Sequence, residues 1–170
     1  MTCQPRDDNP LAVACSGWRI SKRAYAERSA SAFDGEGSRR YGGRWSPAGR
    51  RVAYASSSLA LASLEYFVNP DPVDAPSDLV SVRVEIPGDI FIETVETAII
   101  PANWRRHPYP RELQLFGERW LMAESSVCLR VPSAVIPEEF NLLVNPLHRD
   151  FDSLRFREPA EFEFDPRMWK

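Results

Sequence analysis

Val80-Ser81-Val82-Arg83-Val84-Glu85-Ile86 is the stretch that decides the fold of this chain. Its apolar residues alternate with polar ones, which is the pattern of a β-strand with one buried face. Outward from it, the sequence has more short segments of strand character and two segments with the apolar spacing of helices, at 59–67 and 111–124. The other strands are predicted at 14–20, 51–55, 90–94, 127–131, 140–144 and within 154–164. Many short strands and two helices predict an α+β fold with a mainly antiparallel sheet. In that sheet, segment 90–94 is expected to pair with 80–86 across the turn at 87–89.

The length, composition and charge of the chain predict a single globular domain. The 170 residues are 44% hydrophobic and 26% charged, so we assign 14–170 to one domain and 1–13 to a loose N-terminal arm. A net charge of −3 argues against a general attraction to nucleic acid or anionic membranes. No apolar run approaches the roughly 20 residues of a membrane span. The three cysteines lack the spacing of a metal site or a disulfide framework. These features predict a reduced, cytosolic protein.

Segment 21–45 is polar and rich in glycine, and long connections of this kind are often functional. We predict one short helix near Tyr25 and an irregular course elsewhere. Gly42 and Gly43 would let a ligand approach the backbone closely, although the segment is neither a Rossmann fingerprint nor a Walker loop. Four guanidinium groups could bind phosphates as planar forks, those of Arg19, Arg39, Arg40 and Arg44. The alternative is a surface loop with solvated or ion-paired arginines.

Three further side chains are candidates for chemistry, each with a structural alternative. Glu65 lies at the border of the buried face of helix 59–67. It is either solvated there or aimed into a cleft, where it would stabilise a positively charged ribosyl transition state. Tyr54 ends a strand, and a core tyrosine is its default interpretation. Ser133 follows Pro132 at a strand end as a turn serine or an exposed hydroxyl, and neither histidine of the chain is spaced for a catalytic triad.

A set of short motifs, in order along the chain, resembles the RES domain, the toxin half of RES–Xre toxin–antitoxin modules. The resemblance runs from about residue 17 to the C-terminus. Its motifs are Trp18-Arg19-Ile20, Arg39-Arg40-Tyr41-Gly42-Gly43-Arg44-Trp45, Val52-Ala53-Tyr54-Ala55-Ser56, Leu61-Ala62-Ser63-Leu64-Glu65, Gly117-Glu118-Arg119-Trp120-Leu121, Leu129-Arg130-Val131-Pro132-Ser133, Asn141-Leu142-Leu143-Val144-Asn145-Pro146 and Asp165-Pro166-Arg167. Each motif alone is modest, whereas the ordered set is specific. Arg149 departs from the pattern, because a proline is expected after the histidine of this segment.

The resemblance implies a fold like that of ADP-ribosyltransferase toxins, together with a set of site residues. The family is named for an arginine, a glutamate and a serine, which match Arg44, Glu65 and Ser133. These three are expected to be catalytic. The substrate-binding residues that the resemblance implies are Arg19, Gly43, Trp45 and Tyr54.

The resemblance also implies a role for each of these groups toward NAD+. Arg19 and Arg44 would hold the pyrophosphate and ribose, and Tyr54 would stack on nicotinamide or wall its pocket. Glu65 would favour the ribosyl cation. Ser133 would bind the nucleotide or orient Glu65. No metal and no recycled cofactor is expected, because NAD+ is consumed as the substrate.

The implied function is a toxin that degrades NAD+ in the bacterial cytoplasm by cleaving the nicotinamide–ribose bond. A cognate Xre-like DNA-binding antitoxin is the expected partner, with a homodimer as a further expectation within that complex. Direct binding to nucleic acid or membranes is not expected. Two alternatives stay open. A mono-ADP-ribosyltransferase would use the same NAD+ pocket to modify a cellular protein. A nucleic-acid-binding module would use Arg39-Arg40, Tyr41 and Trp45 as a stacking platform, which the acidic balance of the chain opposes.

Overall fold

A single mixed sheet organises the chain. The computed structural model describes residues 13–68 and 77–169, so the predicted arm 1–13 lies outside them except for its last residue. The strands are β1 Val13–Lys22, β2 Ala53–Ser56, β3 Leu79–Pro87, β4 Ile92–Thr94, β5 Cys128–Pro132, β6 Phe140–Val144, β7 Arg155–Phe156 and β8 Ala160–Phe162. Their order across the sheet is β4-β5-β6-β2-β1-β3-β7, with β8 also paired to β3. This arrangement confirms the predicted α+β class.

All strand pairs in the described residues are antiparallel except one, and that exception corrects a prediction. Segment 90–94 does not return along β3; its strand β4 pairs in parallel with β5, Ile92 opposite Cys128. One edge of β3 is occupied by β1, and the other by β7 and β8, so no edge is left for a hairpin partner. A parallel pair needs a long crossover connection, and the segment that carries the third helix supplies it.

The three α-helices in the described residues are α1 Glu36–Tyr41, α2 Leu59–Phe67 and α3 Arg111–Ala123. Helix α2 begins at Ser58, whose Oγ accepts a hydrogen bond from the Leu61 backbone N–H, an N-cap of the type that the serine run predicts. Leu61 and Ala62 are buried, and Ala62 packs with Ile20 of β1. Both predicted helices are therefore present.

Segment 21–45 is more ordered than the sequence predicts. It contains the 3-10 helices Arg23–Tyr25 and Ser29–Phe33 and then α1. Phe33 explains the difference, because its ring is fully buried against the same core as the valines of β3 and anchors a segment that otherwise looks polar.

The two faces of the sheet have different uses. On one face, the valines of β3 pack with apolar residues of β1, β2 and β6 in the main core. On the other face, Trp18 of β1 lies opposite Ser56 of β2, and Ser56 lies opposite Asn141 of β6. Directly opposed residues point to the same side of a sheet. These three side chains therefore form one row across the centre of the sheet. No helix in the described residues is long and apolar enough to span a membrane.

Candidate active site

A cleft of about 660 Å³ lies over this row of residues. Its wall is formed by β1, β2, α1, α2 and residues from the segments 107–109 and 134–141. The volume falls in the range of small-molecule and cofactor sites, which is roughly 300–1,000 Å³. Five residues expected at the site line it, namely Arg19, Gly43, Arg44, Tyr54 and Glu65.

Glu65 is held in the cleft by two neutral donors. Its Oε1 accepts a hydrogen bond from the Ser133 hydroxyl at 2.7 Å and another from the Asn141 side-chain N–H at 2.6 Å. Among the described residues, no donor lies within hydrogen-bonding distance of the other oxygen, Oε2. The carboxylate is thus fixed through one oxygen while the other stays available to a ligand.

Ser133 lies behind Glu65 and outside the lining of the cleft. It is fully buried, and its Oγ accepts hydrogen bonds from the backbone N–H groups of Val135 and Ile136, each at 3.1 Å. A hydroxyl has one proton to donate, and that proton is given to Glu65. In this arrangement Ser133 orients the glutamate.

Arg44 also lines the cleft and bonds the loop at 104–106. Its Nη1 donates to the backbone carbonyls of Trp104 at 2.6 Å and Arg106 at 3.1 Å, and its guanidinium lies 5.5 Å from the ring centre of Tyr109. Burial lowers the pKa of Arg44, and the negative charge of Glu65 partly opposes that shift. Nε and Nη2 make no hydrogen bond to the described residues, so the remaining part of the guanidinium fork is available to an anion.

Arg19 lies at the divergence of β1 and β2, beyond the Trp18–Ser56 pair. Its Nη1 donates to the Tyr54 carbonyl at 2.8 Å, and its Nε is buried without a hydrogen-bond partner in the described residues. Burial lowers the pKa of this guanidinium, and the charge of Asp34 acts in the other direction. Arg19 therefore lines the cleft and keeps one buried N–H donor unpaired among the described residues.

Tyr54 and Gly43 shape the cleft between the two arginines. The Tyr54 hydroxyl accepts a hydrogen bond from the Trp45 backbone N–H at 3.1 Å and shares one with Ser46 Oγ at 2.9 Å. Burial raises the pKa of Tyr54 to about 12, so its hydroxyl stays neutral. A Cβ on Gly43 would lie 2.7 Å from the Tyr54 hydroxyl oxygen. Any larger residue would therefore displace the Tyr54 hydroxyl from its hydrogen bonds to Trp45 and Ser46.

Comparison with known proteins identifies the family of the chain. The family model described as RES domain matches residues 16–165. The chain belongs to the RES domain family. Similar curated proteins are "Toxin Res" of Yersinia enterocolitica, which is 39% identical over 89% of this chain and 97% of its own length, and "Prs ADP-ribosylating toxin" of a Sphingobium species, which is 35% identical over 92% of this chain and 98% of its own length.

A solved structure has the same fold. The RES domain described here matches a chain in the crystal structure of the Mycobacterium tuberculosis MbcT–MbcA toxin–antitoxin complex, with a TM-score of 0.67. The two chains are 17% identical, and the match covers 91% of this chain and 86% of the other. At that identity the likeness establishes the fold.

One residue predicted to bind substrate is not brought into the cleft of this RES domain. The side chain of Trp45 is 2% exposed and packs in a core cluster with Leu113 and Trp120. A large apolar indole gains more from this burial than from a place on a polar cleft wall. Trp45 contributes its backbone N–H, which holds the Tyr54 hydroxyl.

The basic pair Arg39-Arg40 is engaged elsewhere. Arg39 and Arg40 contact the Glu36 carboxylate at 2.6 and 2.8 Å, and Arg51 reaches the same carboxylate at 2.8 Å. These bonds, the one from Arg39 first, lower the pKa of Glu36 to about 2. In this structure the pair is therefore held in ion pairs at the surface, and neither residue lines the cleft.

Two site residues were not singled out from the sequence. Asn141 bonds Glu65, and Gln114 of α3 donates through Nε2 to the Gly43 carbonyl at 3.0 Å. Helix α3 also contacts the Gly43–Trp45 loop closely at Gly117. A Cβ at that position would lie 1.7 Å from the Trp45 carbonyl oxygen, so the contact depends on the absence of a side chain. The register of β6 against β2 would have pointed to Asn141, but the sequence alone does not give that register.

Other sequence features lie away from the cleft. Arg149, which departs from the family pattern, has a side chain that is 89% exposed and does not line the cleft. The part of the chain that the structure describes contains no cluster of three or more His, Cys, Asp or Glu side chains arranged to hold a metal ion.

Proposed function

We propose that this RES-domain protein is the toxin of a toxin–antitoxin pair and that it consumes NAD+ by breaking the nicotinamide–ribose bond. The observation that carries the proposal is the state of Glu65. One oxygen of its carboxylate is fixed by Ser133 and Asn141, and the other is left without a donor in a cleft of cofactor size. A negative charge held in this way suits a reaction that develops positive charge at a ribose carbon.

The chemistry needs no partner beyond water. The bond between the ribose carbon and the pyridinium nitrogen breaks, and its electron pair leaves with nicotinamide. Glu65 stabilises the resulting oxocarbenium-like centre by its charge. A water molecule then adds to the carbon, and its proton passes to Glu65 or to solvent. NAD+ becomes ADP-ribose and nicotinamide.

The two arginines and the tyrosine would place the substrate. Arg44 keeps Nε and Nη2 for the pyrophosphate while its Nη1 stays on the carbonyls of Trp104 and Arg106. Arg19 adds the buried Nε–H donor. Tyr54 stays neutral and offers a ring edge to nicotinamide between them.

Transfer of ADP-ribose to a protein is the second candidate, because a relative that is 35% identical over 92% of this chain is named "Prs ADP-ribosylating toxin". The same cleft would serve, with an acceptor side chain in place of water. The two reactions share their first bond cleavage and differ in the nucleophile.

The partner that we propose is a Xre-like DNA-binding antitoxin, and a homodimer of the toxin within that complex is part of the proposal. Support for an antitoxin comes from the fold match to a chain of a toxin–antitoxin complex. An acidic group on the partner would bind between Arg19 and Arg44 through charge-assisted hydrogen bonds and exclude NAD+.

The test is to incubate purified protein with NAD+ and measure free nicotinamide, with a labelled-NAD+ gel run alongside. Nicotinamide release without protein labelling supports hydrolysis, and a labelled band supports transfer. Expression without a partner should also arrest growth and lower cellular NAD+. If NAD+ stays intact in both assays while the protein is folded, the proposal is wrong.

A further inference from the structure

Asn141 has an unusual hydrogen-bonding state for a residue that lines the cleft. Its Nδ2 donates to Glu65 Oε1 at 2.6 Å. A carboxylate oxygen can only accept, so the amide nitrogen must face Glu65 and the amide oxygen must take the other position. That oxygen, Oδ1, is buried and has no hydrogen-bond partner in the described residues.

A buried acceptor without a donor costs free energy, and most buried polar atoms in native proteins have a hydrogen-bond partner, so an exception of this kind calls for one. Asn141 is a wall residue of the cleft. Arg19 Nε is a second buried polar atom without a partner in the described residues, and Arg19 also lines the cleft. One atom is an acceptor and the other is a donor. A ligand with both kinds of group would satisfy them together.

We propose that Asn141 Oδ1 accepts a hydrogen bond from a hydroxyl of the ribose beside the bond that is cleaved. This inference rests on the proposed function. Glu65 Oε2 and Asn141 Oδ1 then form two neighbouring acceptors, and the vicinal diol of a ribose presents two neighbouring O–H donors. Because Oδ1 is buried, this contact requires neighbouring side chains to shift when the ligand enters, and rotamer changes of this kind are common on binding.

Asn141 therefore has two roles that Ser133 does not share. Both residues orient Glu65 through Oε1. Ser133 lies outside the cleft lining and its hydroxyl is fully used, so it cannot contact the sugar. Asn141 in addition accepts a hydrogen bond from the sugar hydroxyl. A loss of Glu65 orientation weakens the contacts that Glu65 itself makes, whereas loss of the Asn141 oxygen changes the ratio between substrates with and without the hydroxyl that Asn141 binds.

The experiment compares NAD+ with two analogues that lack the 2′ or the 3′ hydroxyl of the nicotinamide ribose. The enzymes are wild type, Asn141→Ala, Ser133→Ala and the matched control Asn145→Ala. Asn145 is 5% exposed, its Oδ1 accepts from the Leu147 backbone N–H, and it does not line the cleft. The measured quantity is the ratio of kcat/KM for NAD+ to kcat/KM for each analogue, divided by the same ratio in wild type. This division cancels differences in intrinsic reactivity between substrates.

We expect Asn141→Ala to reduce the preference for NAD+ over one analogue by about tenfold, the value of one hydrogen bond. Ser133→Ala should lower kcat/KM for all three substrates and leave as in wild type the ratio for the hydroxyl that Asn141 binds. Asn145→Ala should also leave the ratio unchanged. An unchanged ratio in folded Asn141→Ala overturns the inference, and if that variant fails to fold, Asn141→Ser is measured in its place under the same criterion.

A binding measurement separates this inference from the proposed function. Calorimetry gives the affinity of wild type and the Asn141 variant for ADP-ribose and for its deoxy forms. If wild type releases no nicotinamide but the variant loses its preference for ADP-ribose over one deoxy form, the proposed function fails and the inference holds. If nicotinamide is released and the variant discriminates among the ligands as wild type does, the inference fails and the proposed function holds.

Discussion

Two glutamates on neighbouring helices show how one residue type serves two purposes. Glu36 of α1 is bonded by three guanidinium groups, those of Arg39, Arg40 and Arg51. Glu65 of α2 is bonded by a hydroxyl and an amide, both neutral. The negative charge of Glu36 is balanced by these arginine side chains. The charge of Glu65 is fixed in position without being neutralised, which is the condition for acting on a ligand.

The largest effect on activity is expected for Glu65→Gln. Glutamine keeps the size and can still accept from Ser133 and Asn141, but the charge is gone. Nicotinamide release should fall by about 10²–10³-fold, as for other losses of one electrostatic stabiliser. The melting temperature should change little. Wild-type turnover in the folded variant would mean that Glu65 is as structural as Glu36.

Arg44→Lys tests whether substrate binding needs the planar guanidinium group of Arg44. A lysine can donate to the Trp104 or Arg106 carbonyl but cannot also offer two parallel N–H groups to a phosphate. Loss of one charge-assisted hydrogen bond predicts a fall in kcat/KM of about 10- to 100-fold.

The control for Arg44→Lys is Arg50→Lys, because Arg50 pairs with Glu118 outside the cleft lining. That variant should keep wild-type kinetics. Equal activity of the two lysine variants would remove the phosphate role from Arg44.

Ser133→Ala leaves Glu65 with one of its two neutral hydrogen-bond donors. It removes the donor to Oε1 and leaves the N–H groups of Val135 and Ile136 without their acceptor. We expect up to about a tenfold loss of kcat, from one hydrogen bond, together with a lower melting temperature.

Ser126→Ala is the control that separates stability from function. Ser126 is also a buried serine, which accepts from Trp120 Nε1 and donates to the Cys128 carbonyl, and it lies away from the cleft. Its loss should lower the melting temperature and spare kcat. If both variants lose kcat in proportion to stability, Ser133 does not act through Glu65.

The smallest effect is expected for Glu36→Gln, measured across pH. The pKa of Glu36 is lowered from its usual value of 4.5 to about 2, by hydrogen bonds from Arg39 first and then Arg40. A lowered pKa in the folded state means that the ion pairs stabilise the fold fully above pH 4.5 and cease to do so as the pH falls toward 2.

The melting-temperature gap between wild type and Glu36→Gln should be small at neutral pH, because the site is exposed, and should narrow below pH 4.5. Added salt should narrow it too. Activity at neutral pH should stay within a few-fold of wild type. A fall as large as that in Glu65→Gln would erase the distinction between the two glutamates.

The sequence predicts local features of this molecule well and long-range ones poorly. The alternation at 80–86 and the spacing at 59–67 are local, and both elements are present. The partner of segment 90–94 depends on which edge of β3 is free, a property of the whole sheet, and that prediction was wrong.

The candidate site shows the same limit. The family resemblance leads to five residues that line the cleft, and the geometry places Ser133 behind Glu65. Trp45 and Arg39 lie in the same motif as Arg44, yet one is in the core and the other on Glu36. Motif membership does not tell which way a side chain points. Asn141 was missed because its contact with Glu65 joins positions 76 residues apart.

In evolutionary terms, the close approach of α3 to the Trp45 loop also places Gly117 under selection, although Gly117 does not line the cleft. At Gly117 even a methyl group would overlap the Trp45 carbonyl, since a Cβ there would lie 1.7 Å from its oxygen. The displaced carbonyl belongs to the loop that supports Tyr54 and carries Arg44. A codon change at this position of α3 would thus be selected against unless the loop changes with it.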